Sequence, residues 1–381
     1  MKRYHTVVFS GGAVKAVAFV GCVRYMEQTG LLASVCKFVG SSAGAIAAFM
    51  LALGMDAEEM EHWLTQRLTA VGVNRIDVDG VLGLYENMGI DSGGRLEAFL
   101  RDMLRAKLNR RNVTFMEFAK ITGQDLVICA SNLTRARPEY FSVDTSPDLS
   151  VLTALRASTC IPVLFTPVKV ADMLYVDGGM FENLPTGAIE GGTIEPGTAQ
   201  GVLVLNVPWN MLGPELPRDI VQYSWYLVAS LLHRTNRIGD GSAEAVGRRR
   251  GWTVVEVDAD EGSPDGDDPF MGFCVDAMEF CLDGAKLRAY MDAGYAALQS
   301  SGCFDPVAAL PLTPPPHTPP PHEAPPLEAP PHTPPPHEAL PLEAPPLTPP
   351  PNTSLPHTPP PLTPPPPEAA RADGTRAEDE E

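Results

Sequence analysis

Along the first three hundred positions, short apolar runs alternate with stretches whose apolar residues recur three and four apart. "HTVVFS" (5–10), "CKFVG" (36–40), "DLVICASNL" (125–133), "RPEYFSV" (137–143), "LFTPVKV" (164–170), "MLYVDGG" (173–179), "GVLVLNV" (201–207) and "WTVVEVD" (252–258) read as strands. Helical spacing covers 13–30, closed by Gly30, and 93–108, with Leu96, Phe99, Leu100, Met103 and Leu104 on one face. Residues 115–123, 149–158, 219–238 and 276–300 also read as helices. Residues 43–54 are apolar on every side, which predicts a buried central helix. Asp56 with Glu59 three residues later predicts a capped helix start. Strands alternating with helices predict an α/β fold with a largely parallel central sheet.

The pattern stops near Asp305. From Pro306 onward the chain holds 29 of its 40 prolines and no aromatic residue. Such a segment cannot bury enough apolar surface to offset its ordering entropy, so a disordered, proline-rich acidic tail is expected over 306–381. Within it, residues 317–331 return as 332–346 with one change, Pro325 against Leu340. Polyproline II is the expectation there, as an extended spacer or as the target of a partner that binds proline-rich motifs. A single globular domain is expected over 5–303.

Net charge is −19, with −8 from the tail and −11 from the globular part, which argues against nucleic acid as a partner. The cluster Arg248-Arg249-Arg250 is too short to reverse that. Seven scattered cysteines without a CxxC pair point to a reducing compartment, not to disulfides or a metal site, with Cys36, Cys129 and Cys160 in apolar surroundings. Gly11, Gly12 and Lys15 interrupt any signal-peptide core, and no apolar run is long enough to span a bilayer. A cytoplasmic protein, at most peripheral at membranes and not secreted, is expected.

Gly40-Ser41-Ser42-Ala43-Gly44 fits GxSxG between a strand and a helix. The motif can be a tight turn, or a nucleophile elbow that needs tiny residues two positions either side of Ser42. A serine needs a base. His233 follows Asp177 in the order of an α/β-hydrolase triad, but it sits within a long helical pattern, and only two strands precede Ser42. The other base is a carboxylate: Asp177 closes a strand before Gly178 and Gly179, although Asp-Gly-Gly is also an ordinary turn. "FSGGAVKAV" (9–17) offers consecutive backbone N–H groups after a strand, suited to an oxyanion, and lacks the spacing of a P-loop or dinucleotide loop.

Glycine-rich loop, GxSxG and a distant Asp-Gly-Gly, with "GIDSGGRLEAFL", "ALRASTCIPVLFTPVKV" and "LYVDGGMFENLP" in order, resemble the patatin-like phospholipases over residues 5 to 300. The resemblance implies a three-layer α/β fold and a Ser42–Asp177 dyad without histidine, metal or cofactor. That dyad would hydrolyse acyl esters of membrane or micellar lipid, as a phospholipase A or an acylglycerol lipase. Gly11, Gly12 and Ala13 would form the oxyanion hole, and Lys15 matches the family's basic position. The family's loop carries glycine where this chain has Ala13 and Ala16. A weakened enzyme kept for lipid binding or scaffolding is therefore the alternative. Segment 70–93 is a candidate lid, with Leu82, Leu84, Tyr85 and Met88 facing lipid.

Overall fold

The computed structural model describes residues 3–67, 86–190, 201–208, 220–236, 251–258 and 284–301. The tail with its repeat, the cluster 248–250, the side chain of His233 and residues 70–85 of the candidate lid lie outside the described residues.

In chain order the described elements begin with β1 (Thr6–Phe9), α1 (Ala18–Gln28), β2 (Lys37–Ser41), α2 (Ala43–Ala52) and α3 (Ala57–His62). β3 (Gly89–Asp91), α4 (Gly94–Leu108), α5 (Phe115–Thr122), β4 (Asp125–Asn132) and β5 (Arg137–Phe141) follow. Next come α6 (Val151–Ser158), β6 (Val163–Phe165), β7 (Val168–Val170), β8 (Met173–Val176), α7 (Gly179–Glu182) and α8 (Gly187–Glu190). β9 (Val202–Asn206), α9 (Ile220–Asn236), β10 (Thr253–Glu256) and α10 (Gly284–Ser300) complete the series.

β10, β9, β1, β2 and β4 are parallel neighbours in that order, and β5, β7 and β8 add antiparallel pairings at one edge. Both faces of the sheet are covered. Val7, Phe9, Phe38, Leu126, Ile128, Leu203 and Leu205 belong to the main core. The residues alternating with them, Val8, Val39, Val127 and Val204, pack with Leu184, Ile189 and Trp252 in a second cluster. Side chains that alternate across a strand and are buried on either side require a layer above and a layer below. The result is a three-layer α/β architecture.

Local chemistry sets several boundaries. Asp56 and Glu59 form the reciprocal cap at the start of α3, and Thr114 and Glu117 do the same for α5. Gly30 and Gly123 take the left-handed conformation just past α1 and α5.

Two expectations are corrected. "LFTPVKV" is two strands: β6 pairs with β3 in a separate small sheet, whereas β7 pairs with β8. Pro167 between them has no N–H to give a ladder. Cys36, expected in apolar surroundings, is exposed at the lip of β2, while Cys22, Cys129 and Cys160 are buried. Among the described residues, no helix is long and apolar enough to cross a membrane.

Candidate active site

β4 is the template that brings distant residues together. One of its edges carries β5, opposite Ile128 to Asn132. The other edge carries β2 up to the Ser41↔Cys129 pair and then β8, with Val176 opposite Ser131. β2 and β8 thus approach each other end to end, with Ala130 as the only β4 residue between the two pairs. The chain leaves β2 at Ser42 and β8 at Asp177, so the two meet above that gap. Ser42 Oγ donates to Asp177 Oδ2 at 2.6 Å.

Ser42 holds φ 53° and ψ −127°, a conformation that costs a non-glycine residue free energy and persists only when its surroundings fix it. Its N–H donates to Ser158 Oγ at 2.9 Å, and Ser158 Oγ donates to the Cys129 carbonyl at 2.6 Å. The glycines two residues either side have a steric cause. A Cβ on Gly40 would strike the Gly44 carbonyl, and one on Gly44 would strike the carbonyls of Phe9 and Ser10. The elbow closes only with hydrogen at both positions.

Asp177 is buried, and its Oδ1 accepts the Gly179 N–H at 2.8 Å. Burial pushes its carboxyl up to about 7, against the opposing pull of the Ser42 hydroxyl and the Gly179 N–H. Ser131 Oγ secures the turn, donating to the Gly178 carbonyl and accepting from the Phe181 N–H, both at 3.1 Å. Burial also raises the neighbouring thiols, Cys160 to about 12 and Cys129 well above its ordinary value, so neither competes as a thiolate.

The glycine-rich loop lies beside the elbow. Gly11 and Asn183 are tied twice: the Gly11 N–H donates to the Asn183 carbonyl at 2.9 Å, and Asn183 Nδ2 donates to the Gly11 carbonyl at 3.0 Å. The Gly11 N–H is therefore already engaged. Gly12 and Ala13 open a 3₁₀ turn over Ala13–Val17, where N–H groups have no intrahelical acceptor. Ala13 holds φ 46°, the left-handed region in which alanine is strained. Lys15 is partly buried and, alone of residues 13–17, does not line the adjoining cavity.

Ser42 lines that cavity. Among its lining residues only Ser42 and Thr159 are polar; Ala13, Ile46, Met50, Phe99 and Phe165 are typical of the rest.

Sequence reasoning singled out Ser42, Asp177 and the loop, but not Asn183 or Ser158. Asn183 stood in the quoted "YVDGGMFENLP", yet its partner lies 172 residues away. No local signal carries such a bond.

The site thus combines a strained serine at a strand-to-helix elbow, a buried carboxyl hydrogen-bonded to its hydroxyl, and an apolar cavity alongside. The family model of patatin-like phospholipases matches residues 7–189 of this chain. A probable lipid hydrolase, 463L, of Invertebrate iridescent virus 6 is 30% identical over 184 residues, 48% of this chain and 62% of that protein. The uncharacterized protein YqhO of Bacillus subtilis is 30% identical over 197 residues, 47% of this chain and 64% of its own length. The matches thus span less than two thirds of these relatives. Among solved structures, VipD from Legionella pneumophila is similar at 16% identity and a TM-score of 0.45, over 80% of this chain and 67% of that one.

Proposed function

We propose that the protein is a lipid acyl hydrolase that cleaves carboxylic esters through a Ser42–Asp177 dyad. The observation that carries this reading is the 2.6 Å bond from Ser42 Oγ to Asp177 Oδ2, with Ser42 lining an apolar cavity. Ionised Asp177 takes the hydroxyl proton as Ser42 Oγ attacks the ester carbonyl. The negative charge of the tetrahedral intermediate falls to the N–H groups of Gly12 and Ala13 and to the N-terminus of α2. Gly11 is left out of this donor set and acts as the anchor of the loop. Protonated Asp177 returns the proton to the leaving alcohol, giving an acyl-Ser42 ester. Water then repeats the sequence to release the acid. Phospholipid of the phospholipase A type and neutral acylglycerol both offer such an ester.

A second reading has its own support in the strained φ of Ala13: a protein that binds lipid in the cavity with catalysis weakened. Hydrolysis of p-nitrophenyl butyrate and of phospholipid vesicles by wild type, Ser42→Ala and Asp177→Asn tests both. The hydrolase reading expects kcat to fall by ~10³-fold or more in each variant. Variants as active as wild type would overturn the dyad. An inactive wild type that still partitions onto vesicles would favour the binding reading.

A further inference from the structure

We propose that the protein selects acyl chains by length, with one face of α2 as the ruler and Met50 as its end. The proposal rests on the assignment of Ser42 as nucleophile and adds to it the class of acid released: medium-chain, with about eight to ten carbons.

Ala43, Ile46, Ala47 and Met50 all line the cavity. They stand at positions i, i+3, i+4 and i+7 of α2 and so form a single stripe that starts beside Ser42. Over those seven residues the helix climbs about 10 Å, the reach of roughly eight methylene groups laid out straight. Ala43 and Ala47 project only methyl groups, which leaves the space above them open. Ala13 and Ala16 line the cavity from the glycine-rich loop. The two alanines that set this chain apart from the family's loop are therefore also wall residues.

The far end is lined by buried side chains and by half-buried Leu64. The chain turns back after α2 at Gly54, which has a left-handed φ, and α3 brings Met60 into the cavity lining. Leu64 joins it, and α4 supplies Leu96 and Phe99, the latter edge-on to Trp63 at 5.8 Å. Met50, Met60 and Phe99 have no exposed surface. None of the lining residues is charged, so this space suits an unsubstituted alkyl chain and rejects a headgroup. A carbonyl held at Ser42 Oγ would send its acyl tail along the stripe until it met Met50. Each methylene placed or refused in such a pocket changes selectivity by roughly 10–200-fold.

The test is a series of p-nitrophenyl esters from butyrate to palmitate, read as ratios of kcat/KM. Wild type is expected to peak at octanoate or decanoate and to fall at least about tenfold at palmitate. Ala47→Phe places a ring halfway along the ruler, and its octanoate-to-butyrate ratio is expected to drop about tenfold or more. Met50→Ala opens the end and raises the dodecanoate-to-octanoate ratio about fivefold. Truncating a buried methionine leaves a cavity that destabilises the fold, so Met50→Val and Ala47→Leu decide the matter if the larger changes fail to fold. Thermal unfolding supplies a readout independent of turnover: a side chain added at Ala47 fills open space and raises Tm. A chain-length profile identical in wild type and folded variants, with butyrate still cleaved, overturns the ruler and leaves the nucleophile standing. No cleavage of any ester by wild type overturns both.

Discussion

The elbow and the glycine-rich loop flank the same cavity and carry the same kind of strain, but they are held in different ways. At the elbow, Ser42 has its N–H on Ser158, its hydroxyl on Asp177, and glycines on both sides that nothing larger can replace. At the loop, Ala13 has a comparable φ, and the described ties lie just before it, between Gly11 and Asn183 and between Ser10 and the backbone of Leu205 and Val207. The methyl of Ala13 packs against the small cluster around Cys160, Ile161 and Phe165. A position that must aim an attacking atom is fixed by several independent bonds. A position that only presents backbone N–H groups can be set by an anchor nearby.

The comparison breaks most visibly at Gly44. Gly44→Val would drive carbon into two backbone carbonyls, and we expect it to lower Tm by roughly 10 °C or more. A variant with wild-type Tm on a melting curve would show that the elbow has room to relax.

The next effect is electrostatic. The carboxyl of Asp177 is raised to about 7 in the folded state, against 3.8 in an ordinary environment. The folded protein therefore binds the extra proton, and stability falls as pH rises through that window, with the full cost present above 7. Asp177→Asn removes the cost, and we expect it to stabilise by about 2–4 kcal/mol at pH 8, with less than half of that at pH 5. Denaturant unfolding at the two pH values reads the difference; an equal gain at both would deny the raised carboxyl. Turnover carries the opposite sign: a base must be ionised, so kcat/KM of wild type is expected to fall about tenfold per pH unit below 7.

On the loop side, Asn183→Ala releases Gly11, and we expect kcat to drop by roughly 10–10²-fold with little change in KM. Equal losses in both parameters would make Asn183 a wall of the pocket instead. Ala13→Gly is the smallest change. It relieves strain and loosens the unfolded chain, for a net gain below about 1 kcal/mol, and it speeds ester cleavage a few-fold. A slower variant would show that the methyl's packing, and not its φ, is what positions the donors.

Much of this was legible in the residues. The short apolar runs in 5–10, 36–40 and 201–207 read as strands, and Asp56 with Glu59 announced a helix start that the structure builds as written. Proximity of Ser42 to Asp177 was legible only through resemblance, because register along β4, not spacing along the chain, sets it. Asn183 was missed because a side-chain bond to a remote backbone leaves no periodic trace. The sequence alone presents Ala13 and Ala16 only as departures within a donor loop. That they also line the cavity depends on how the turn at 13–17 faces α2, which no local pattern encodes.

The meeting of β2 and β8 on a single edge of β4 bears on how such a protein can diversify. Ser42 and Asp177 lie 135 residues apart in sequence, yet one residue of a third strand governs their separation. The stretch between them encodes α3 and α4, whose side chains line the cavity. The same stretch also encodes β4 and Ser158, which hold the pair in place. Under the proposed function, exchanges confined to α3 and α4 would alter what the cavity admits while β4 and Ser158 keep the pair in register.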